Sequence, residues 1–177
     1  MGYWIGQGCG IAVTVLGVIY PLCRRKKWML ILSLLVNCLA GSNVWLVGGF
    51  GAAVLLNLTA VVQIAFTLWH FGTDTPVRLW ERILFLCLFV GLGMTGVVTA
   101  PPAGRWLELL PVAAVVPFCL SVFVRDEQKT RKLMLINIVL WLVYYAIIGS
   151  TMMAAQSVSL ITTLVALITY RKKVDVK

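Results

Sequence analysis

Residues 44–69 read VWLVGGFGAAVLLNLTAVVQIAFTLW, and this stretch decides how the chain folds. It belongs to an apolar run at roughly residues 28–69, whereas one membrane-spanning helix needs only about 20 residues. The run must therefore fold back on itself, and the GGFG segment at residues 48–51 permits a tight reversal. A second long run, at roughly residues 133–170, has a comparable break in the GST segment at residues 149–151. Each of these runs predicts a pair of helices.

The composition indicates that this chain lies in a membrane. Hydrophobic residues make up 61% of it, charged residues only 12%, and the mean hydropathy is +0.98, far from the averages of soluble domains. Three further apolar runs, at roughly residues 3–23, 83–98 and 106–124, each predict one more helix. We therefore predict an all-α integral membrane protein with seven transmembrane helices, built as a single membrane domain of residues 1–177.

The basic residues provide an independent test of this helix count. With seven spans, alternate loops lie on opposite sides of the membrane, and cytoplasmic loops are enriched in Lys and Arg. Fourteen of the fifteen cations fall in one set of loops and in the C-terminal tail, and only Arg105 lies on the other side. This distribution predicts a multi-pass protein with an external N-terminus and a cytoplasmic C-terminus.

The net charge of +9 also raises the question of a polyanionic partner. The cations form clusters at the ends of predicted spans, where they set the topology and attract anionic lipid headgroups. We therefore expect contact with membrane lipid and no nucleic-acid partner.

Acidic side chains are missing from the interior of the predicted spans. Apart from Glu108, which stands at the start of the fifth helix, no Asp or Glu lies inside an apolar run. Proton-coupled transporters use such groups at membrane depth, and hydrolytic enzymes use paired carboxylates or a histidine dyad. His70 is the single histidine, and the five cysteines form no C-x-x-C pair. We therefore expect no enzymatic activity, no metal site, no cofactor and no coupling to protons.

The chain contains a weak internal repeat. An offset of 101 residues aligns Gly48 with Gly149 and Arg24 with Arg125. Three spans and one further helix precede the second half. Because this number is even, both halves enter the membrane with the same polarity, which makes this a parallel repeat. The predicted parts are a first three-helix repeat at residues 1–71, a linker helix at residues 77–100 and a second repeat at residues 105–173.

The order and spacing of several short motifs resemble the SWEET and PQ-loop superfamily of three-helix-repeat transporters, and more closely its bacterial inner-membrane YgjV branch. The motifs are YWIGQGCG at residues 3–10, the basic loop RRKK at residues 24–27, an Asn in the third helix and the IGS turn at residues 148–150. The resemblance implies two parallel three-helix bundles joined by an inverting linker helix (3+1+3) in the bacterial inner membrane. A Pro-Gln dipeptide of better-known relatives is absent, and Pro21 and Pro117 do not occupy matching repeat positions.

The polar residues of the apolar runs are the candidates for a solute-binding site. Asn57 shares a face of the third helix with small residues, whereas Gln63 lies on another face with Thr59 and Thr67. The resemblance implies that solute binds between the bundles through an Asn of this helix and through aromatic residues. The predicted substrate-binding residues are Asn43, Asn57, Gln63, Trp141, Tyr144, Gln156, Ser157 and Ser159.

The sequence leaves two functions open. One is facilitative transport of a small neutral polar solute, such as a sugar or a nucleoside-like molecule, by alternating access between the repeats. The other is a non-transporting membrane scaffold or accessory subunit, whose polar side chains only hydrogen-bond between helices. A carrier should gather polar side chains from both halves around one cavity, whereas a scaffold should bury them singly. The sequence also leaves open whether the chain forms a homo-oligomer.

Overall fold

The structure is a computed structural model that describes residues 2–48, 52–99, 102, 105–147 and 152–170. Within these ranges the chain forms seven α-helices and no strand, so the predicted all-α fold with seven helices is confirmed. The helices are α1 (Gly2–Ile19), α2 (Lys26–Gly48), α3 (Ala52–Gly72), α4 (Leu79–Thr99), α5 (Arg105–Phe123), α6 (Glu127–Ile147) and α7 (Met152–Thr169).

The helices end close to the positions where the sequence predicts reversals. α2 ends at Gly48 and α3 begins at Ala52, while α6 ends at Ile147 and α7 begins at Met152. Most of the GGFG segment and the whole GST segment lie outside the described residues. A 3-10 turn (Tyr20–Leu22) follows α1 and contains a proline, which has no backbone N–H with which to continue the helix.

Five helices are long and apolar enough to cross a membrane: α1 with the turn that follows it, α3, α4, α5 and α6. α7 is apolar but shorter, and α2 is not among these five candidates. Large apolar side chains face outward, and Trp4 and Ile168 are each 77% exposed, as expected for surface in contact with lipid. The chain is therefore an integral membrane protein, and the spans by α2 and α7 stay a prediction.

The helices pack as a ring in chain order. Each helix contacts its neighbours in the sequence, and α1 closes the ring by packing against α7. α3 also contacts α5. The α1–α7 and α3–α5 contacts both join the first half of the chain to the second. They do not confirm two separate three-helix bundles. The 3+1+3 arrangement therefore stays a prediction.

The largest buried apolar cluster joins α3, α4 and α5. Its members are Ala60, Phe85, Phe89, Val115, Cys119 and Phe123. A second cluster, of Leu30, Ile64 and Val122, ties α2 to the same side of the ring. Van der Waals packing is a main attraction between helices in lipid, because lipid tails are as apolar as the side chains. The apolar core therefore lies between α3, α4 and α5, and Ala60, Phe89 and Val115 of this core also border the centre of the ring.

Two glycines of α4 differ in what surrounds them. A Cβ added at Gly93 would lie 3.1 Å from Val112 Cγ2 and 3.8 Å from Val112 Cα on α5. A Cβ added at Gly91 would meet nothing within 4 Å. Gly93 therefore sets how closely α4 approaches α5, and Gly91 does not.

We expect Gly93→Ala to lower the free energy of unfolding by about 1 to 3 kcal/mol, because the added methyl group overpacks a contact that includes backbone of α5. The measurement is the Tm of the purified protein in detergent. Gly91→Ala is the matched control, since it makes the same chemical change two residues away in open space. Equal Tm values for the two variants would show that the contact at Gly93 is not tight.

Candidate functional site

A cavity of about 520 Å³ lies at the centre of the ring, and all seven helices contribute to its wall. Apolar and small residues form much of this wall, and polar side chains from both halves interrupt it. The polar and aromatic lining residues are Thr14, Tyr20, Ser33, Asn37, Asn43, Asn57, Phe89, Glu108, Phe118, Asn137, Trp141, Tyr144, Tyr145, Gln156 and Ser159. The volume is in the range of sites for small molecules.

Six of the eight predicted substrate-binding residues line this cavity. They are Asn43, Asn57, Trp141, Tyr144, Gln156 and Ser159. They come from α2, α3, α6 and α7, so the fold brings together residues that lie more than 100 positions apart in the chain. Whether any of them binds a solute stays a prediction.

The other two predicted residues are not part of the cavity wall. Gln63 is 0% exposed, and its Nε2 donates a hydrogen bond of 2.9 Å to the backbone carbonyl of Cys119 on α5. The hydroxyl of Ser157 donates to the carbonyl of Met153 in its own helix, at 2.9 Å. Gln63 therefore links two helices, in the way that polar residues commonly stabilise membrane bundles.

Three asparagines of the cavity wall donate their amide groups to backbone carbonyls. Asn43 Nδ2 donates to Gly6 on α1 at 2.7 Å, and Asn137 Nδ2 donates to Ala114 on α5 at 2.8 Å. Asn37 Nδ2 donates to the Ser33 carbonyl within α2, also at 2.7 Å. Because the carbonyl partners only accept, the NH₂ group of each side chain is assigned and its oxygen remains an acceptor.

Asn57 lies where α2 and α3 approach closely. A Cβ added at Gly41 would stand 3.2 Å from the Cβ of Asn57. Ala60, one turn further along α3, is buried in the apolar cluster and also borders the cavity. A small residue on α2 thus positions Asn57 at the cavity wall, as the small residues near it in the sequence led us to expect for this helix face.

Glu108 lines the cavity, although the sequence places it only at the start of a helix. It is the fourth residue of α5, and its Oε1 accepts a hydrogen bond of 3.1 Å from the hydroxyl of Tyr144 on α6. Sequence reasoning missed its role because an acidic residue in a first helical turn is ordinarily explained by the helix dipole. Its spacing from Pro111 and Val115 on one face of α5 was the available signal.

Three aromatic rings of α6 form a group beside this carboxylate. Trp141 and Tyr145 are stacked with ring centroids 5.4 Å apart, and Tyr144 lies edge-on to both, at 5.7 Å from Trp141 and 5.6 Å from Tyr145. All three rings border the cavity. The cavity therefore offers flat apolar faces, one carboxylate and several amide oxygens.

A buried lysine lies at one end of the ring, where α2, α5 and α6 meet. Lys26, the first residue of α2, is 4% exposed. Its Nζ donates to the backbone carbonyl of Ser121 at 2.6 Å and to the hydroxyl of Thr130 at 2.9 Å. Ser121 stands in the last turn of α5, where carbonyls have no partner within the helix and the helix dipole is negative. The cation of the first half thus caps a helix of the second.

A buried arginine makes the reciprocal contact. Arg131 of α6 is 2% exposed, and its Nε donates to the carbonyl of Pro21 at 3.0 Å while its Nη2 donates to Cys23 at 2.5 Å. Its guanidinium also lies over the ring of Tyr170, 5.0 Å from the centroid. A cation of the second half therefore caps the end of α1. We call the side of the ring with Lys26 and Arg131 the basic end.

Other contacts between the halves gather at the same place. Arg125 forms a salt bridge of 3.2 Å with Asp74, which joins the loop after α5 to the loop after α3. The cavity extends away from the basic end as far as Glu108, near the start of α5. Among the described residues, no group of three or more His, Cys, Asp or Glu side chains could hold a metal ion.

Seven helices around a polar cavity define a polytopic helical membrane protein. The family model Imp-YgjV, whose description is bacterial inner membrane protein, matches residues 4–174. Since the match covers most of the chain, the protein belongs to this family and is a bacterial inner membrane protein. The resemblance to the YgjV branch is confirmed, and placement in the SWEET and PQ-loop superfamily stays a prediction. Neither curated proteins nor solved structures gave a match.

A cavity that holds water should expose a thiol at Ser159 but not at Thr163, which follows one turn later on α7 and is fully buried. We expect Ser159→Cys to react much faster than Thr163→Cys with a water-soluble thiol reagent. The background carries alanine at Cys9, Cys23, Cys38 and Cys87 and keeps buried Cys119. Equal labelling rates in the folded protein would argue against a hydrated cavity.

Proposed function

We propose that this protein is a facilitative carrier of a small polar solute, which moves through the central cavity by alternating access between two three-helix repeats. The observation that supports this most directly is one cavity walled by polar side chains from both halves of the chain. In this proposal α1 to α3 form the first repeat, α4 is the inverting linker and α5 to α7 form the second. No catalytic residue or cofactor takes part.

The reciprocal capping supports the repeat. Lys26 at the start of α2 caps α5, and Arg131 near the start of α6 caps α1 with its following turn. In a parallel repeat α1 corresponds to α5 and α2 corresponds to α6. Each contact therefore joins the second helix of one repeat to the first helix of the other. The correspondence is between helices and not between residues, since the offset of 101 aligns Lys26 with Glu127 and Leu30 with Arg131.

The cation distribution supports an orientation in which the basic end is cytoplasmic and the N-terminus external. Anionic headgroups then lie beside the exposed lysines and arginines of this end. In this proposal Lys26 and Arg131 close the cavity at the basic end, and the solute enters from the other side. The neutral sugar or nucleoside-like solute expected from the sequence would match the amides, hydroxyls and aromatic rings.

The scaffold alternative is favoured by one kind of contact. Gln63, Asn43 and Asn137 all donate to the backbone of a neighbouring helix, as packing residues do. A scaffold explains these bonds but does not require that the amide oxygens and the Glu108 carboxylate share a cavity. The two functions therefore differ in whether the cavity takes up a solute.

We expect Lys26→Met to open the basic end, because it removes both hydrogen bonds from Lys26 to the second half. The loss of a buried cation also relieves its desolvation cost, so the variant should still fold. The measurement is the labelling rate of Ser33→Cys, which lies on the cavity wall about two turns along α2 from Lys26, by an impermeant thiol reagent applied to inverted membrane vesicles.

Lys27→Met is the matched control, since Lys27 is the exposed neighbour of Lys26. We expect Lys27→Met to leave the labelling rate unchanged. An unchanged rate in Lys26→Met, or the same increase in both variants, would contradict a closure that depends on Lys26.

Uptake into proteoliposomes tests the function itself. With a panel of labelled sugars, nucleosides and choline, we expect at least one solute to equilibrate without a proton gradient. Asn57→Leu removes a polar group from the cavity wall and should weaken affinity for that solute about 5- to 150-fold, equivalent to about 1 to 3 kcal/mol. Gln63→Leu should retain uptake, because Gln63 lies outside the cavity.

The same uptake experiment distinguishes a carrier from a scaffold. Accumulation that requires a proton gradient would contradict facilitative transport. No uptake of any member of the panel by folded protein would favour the scaffold, and normal affinity in Asn57→Leu would remove Asn57 from the solute path.

A further inference from the structure

One charged side chain lines the cavity within the described part of the chain. Among the cavity-lining residues, Glu108 is the only Asp, Glu, Lys, Arg or His. Arg105 begins the same helix three residues earlier but is exposed and does not border the cavity. In surroundings of low dielectric constant, a single carboxylate favours a ligand with a positive charge.

The aromatic group of α6 adds a second preference for positive charge. The faces of Trp and Tyr rings attract cations, and quaternary ammonium ligands are commonly held in cages of such rings. Trp141, Tyr144 and Tyr145 lie within 5.4 to 5.7 Å of one another and border the same cavity as Glu108. Tyr144 touches the carboxylate directly through its hydroxyl.

The asparagine side chains of the cavity wall also favour a ligand that donates hydrogen bonds. Asn37, Asn43 and Asn137 each donate from Nδ2 to a backbone carbonyl, which leaves the oxygen of each side chain as its acceptor. A primary, secondary or tertiary ammonium ion donates N–H hydrogen bonds and accepts none, so it complements a wall that is rich in acceptors. A quaternary ammonium ion has no N–H and is attracted by the carboxylate charge and the ring faces alone.

We propose that the cavity binds the ammonium group of a small organic cation between the Glu108 carboxylate and the aromatic faces of Trp141, Tyr144 and Tyr145. This inference rests on the proposed carrier function and names its substrate class as an amine or a quaternary ammonium compound. The amide oxygens of α2 and α6 hold the polar remainder of the solute. It replaces the neutral solute expected from the sequence, which did not place a carboxylate on the cavity wall.

A purely structural role for Glu108 would be to tie α5 to α6 through its bond to Tyr144. That role requires a hydrogen bond, which glutamine at position 108 could also accept. It does not require the negative charge. The two roles therefore separate in a variant that keeps the hydrogen bond and loses the charge.

The experiment measures binding of radiolabelled choline to the full chain in nanodiscs, together with the rise in Tm at saturating choline. The neutral isostere 3,3-dimethyl-1-butanol, in which carbon replaces the quaternary nitrogen, is the matched probe. We expect choline to bind and to raise the Tm, and we expect the isostere to compete at least about tenfold more weakly, since the Coulombic attraction to Glu108 and the cation–π contacts are lost.

We expect Glu108→Gln to fold with a wild-type Tm and to bind choline at least about tenfold more weakly. Glu81→Gln is the control, because Glu81 lies in the first turn of α4 and does not border the cavity. It should bind choline as the wild type does. If Glu108→Gln does not fold, Trp141→Leu provides the second test and should weaken choline several-fold more than it weakens the isostere.

The outcomes are distinct. Equal binding of choline and its isostere, or wild-type choline affinity in folded Glu108→Gln, would overturn the inference. Uptake of a sugar or nucleoside by protein that does not bind choline would overturn it and leave the carrier function standing. Absence of uptake for neutral solutes and choline alike would overturn both.

Discussion

The buried ammonium of Lys26 determines how the two halves of the ring meet. Removing a cation from water costs several kcal/mol unless hydrogen bonds replace the lost hydration, and here the Ser121 carbonyl and the Thr130 hydroxyl do so. Both partners belong to the second half of the chain, so the lysine is satisfied only while the halves touch. Arg131 imposes the same condition from the other side. The rest of the interface can then open into a cavity.

Much of the fold followed from apolar run lengths, because a span length is fixed by the membrane. Run length placed seven helices, and helical periodicity placed Asn57 and Gln63 on different faces of one helix, which the structure assigns to the cavity and to a contact with α5. The packing of the helices in chain order, with α1 against α7, was not recoverable from periodicity.

The roles of three charged residues were not predicted from the sequence, and the physical reason is the same for all three. Glu108, Lys26 and Arg131 stand near helix starts, where a charge is ordinarily explained by the interface or by topology. Only tertiary packing shows that Glu108 turns to a cavity and that the two cations are buried beneath helix ends. A charge count treats all fourteen cations of one side alike, whereas two of them hold the halves together. Lys26 and Arg131 therefore lie at the basic end, whereas the cavity wall carries one carboxylate and several amide oxygens.

The most direct test of the Lys26 contact is the distance between spin labels at Lys27 and Lys132, exposed neighbours of the two capping cations on opposite halves. Pulsed electron resonance in nanodiscs measures this distance in the otherwise wild-type chain and with Lys26→Met. We expect one narrow distribution when Lys26 is present and a broader distribution at longer distances when it is replaced. Identical distributions in two folded proteins would show that the Lys26 contact does not hold the halves together.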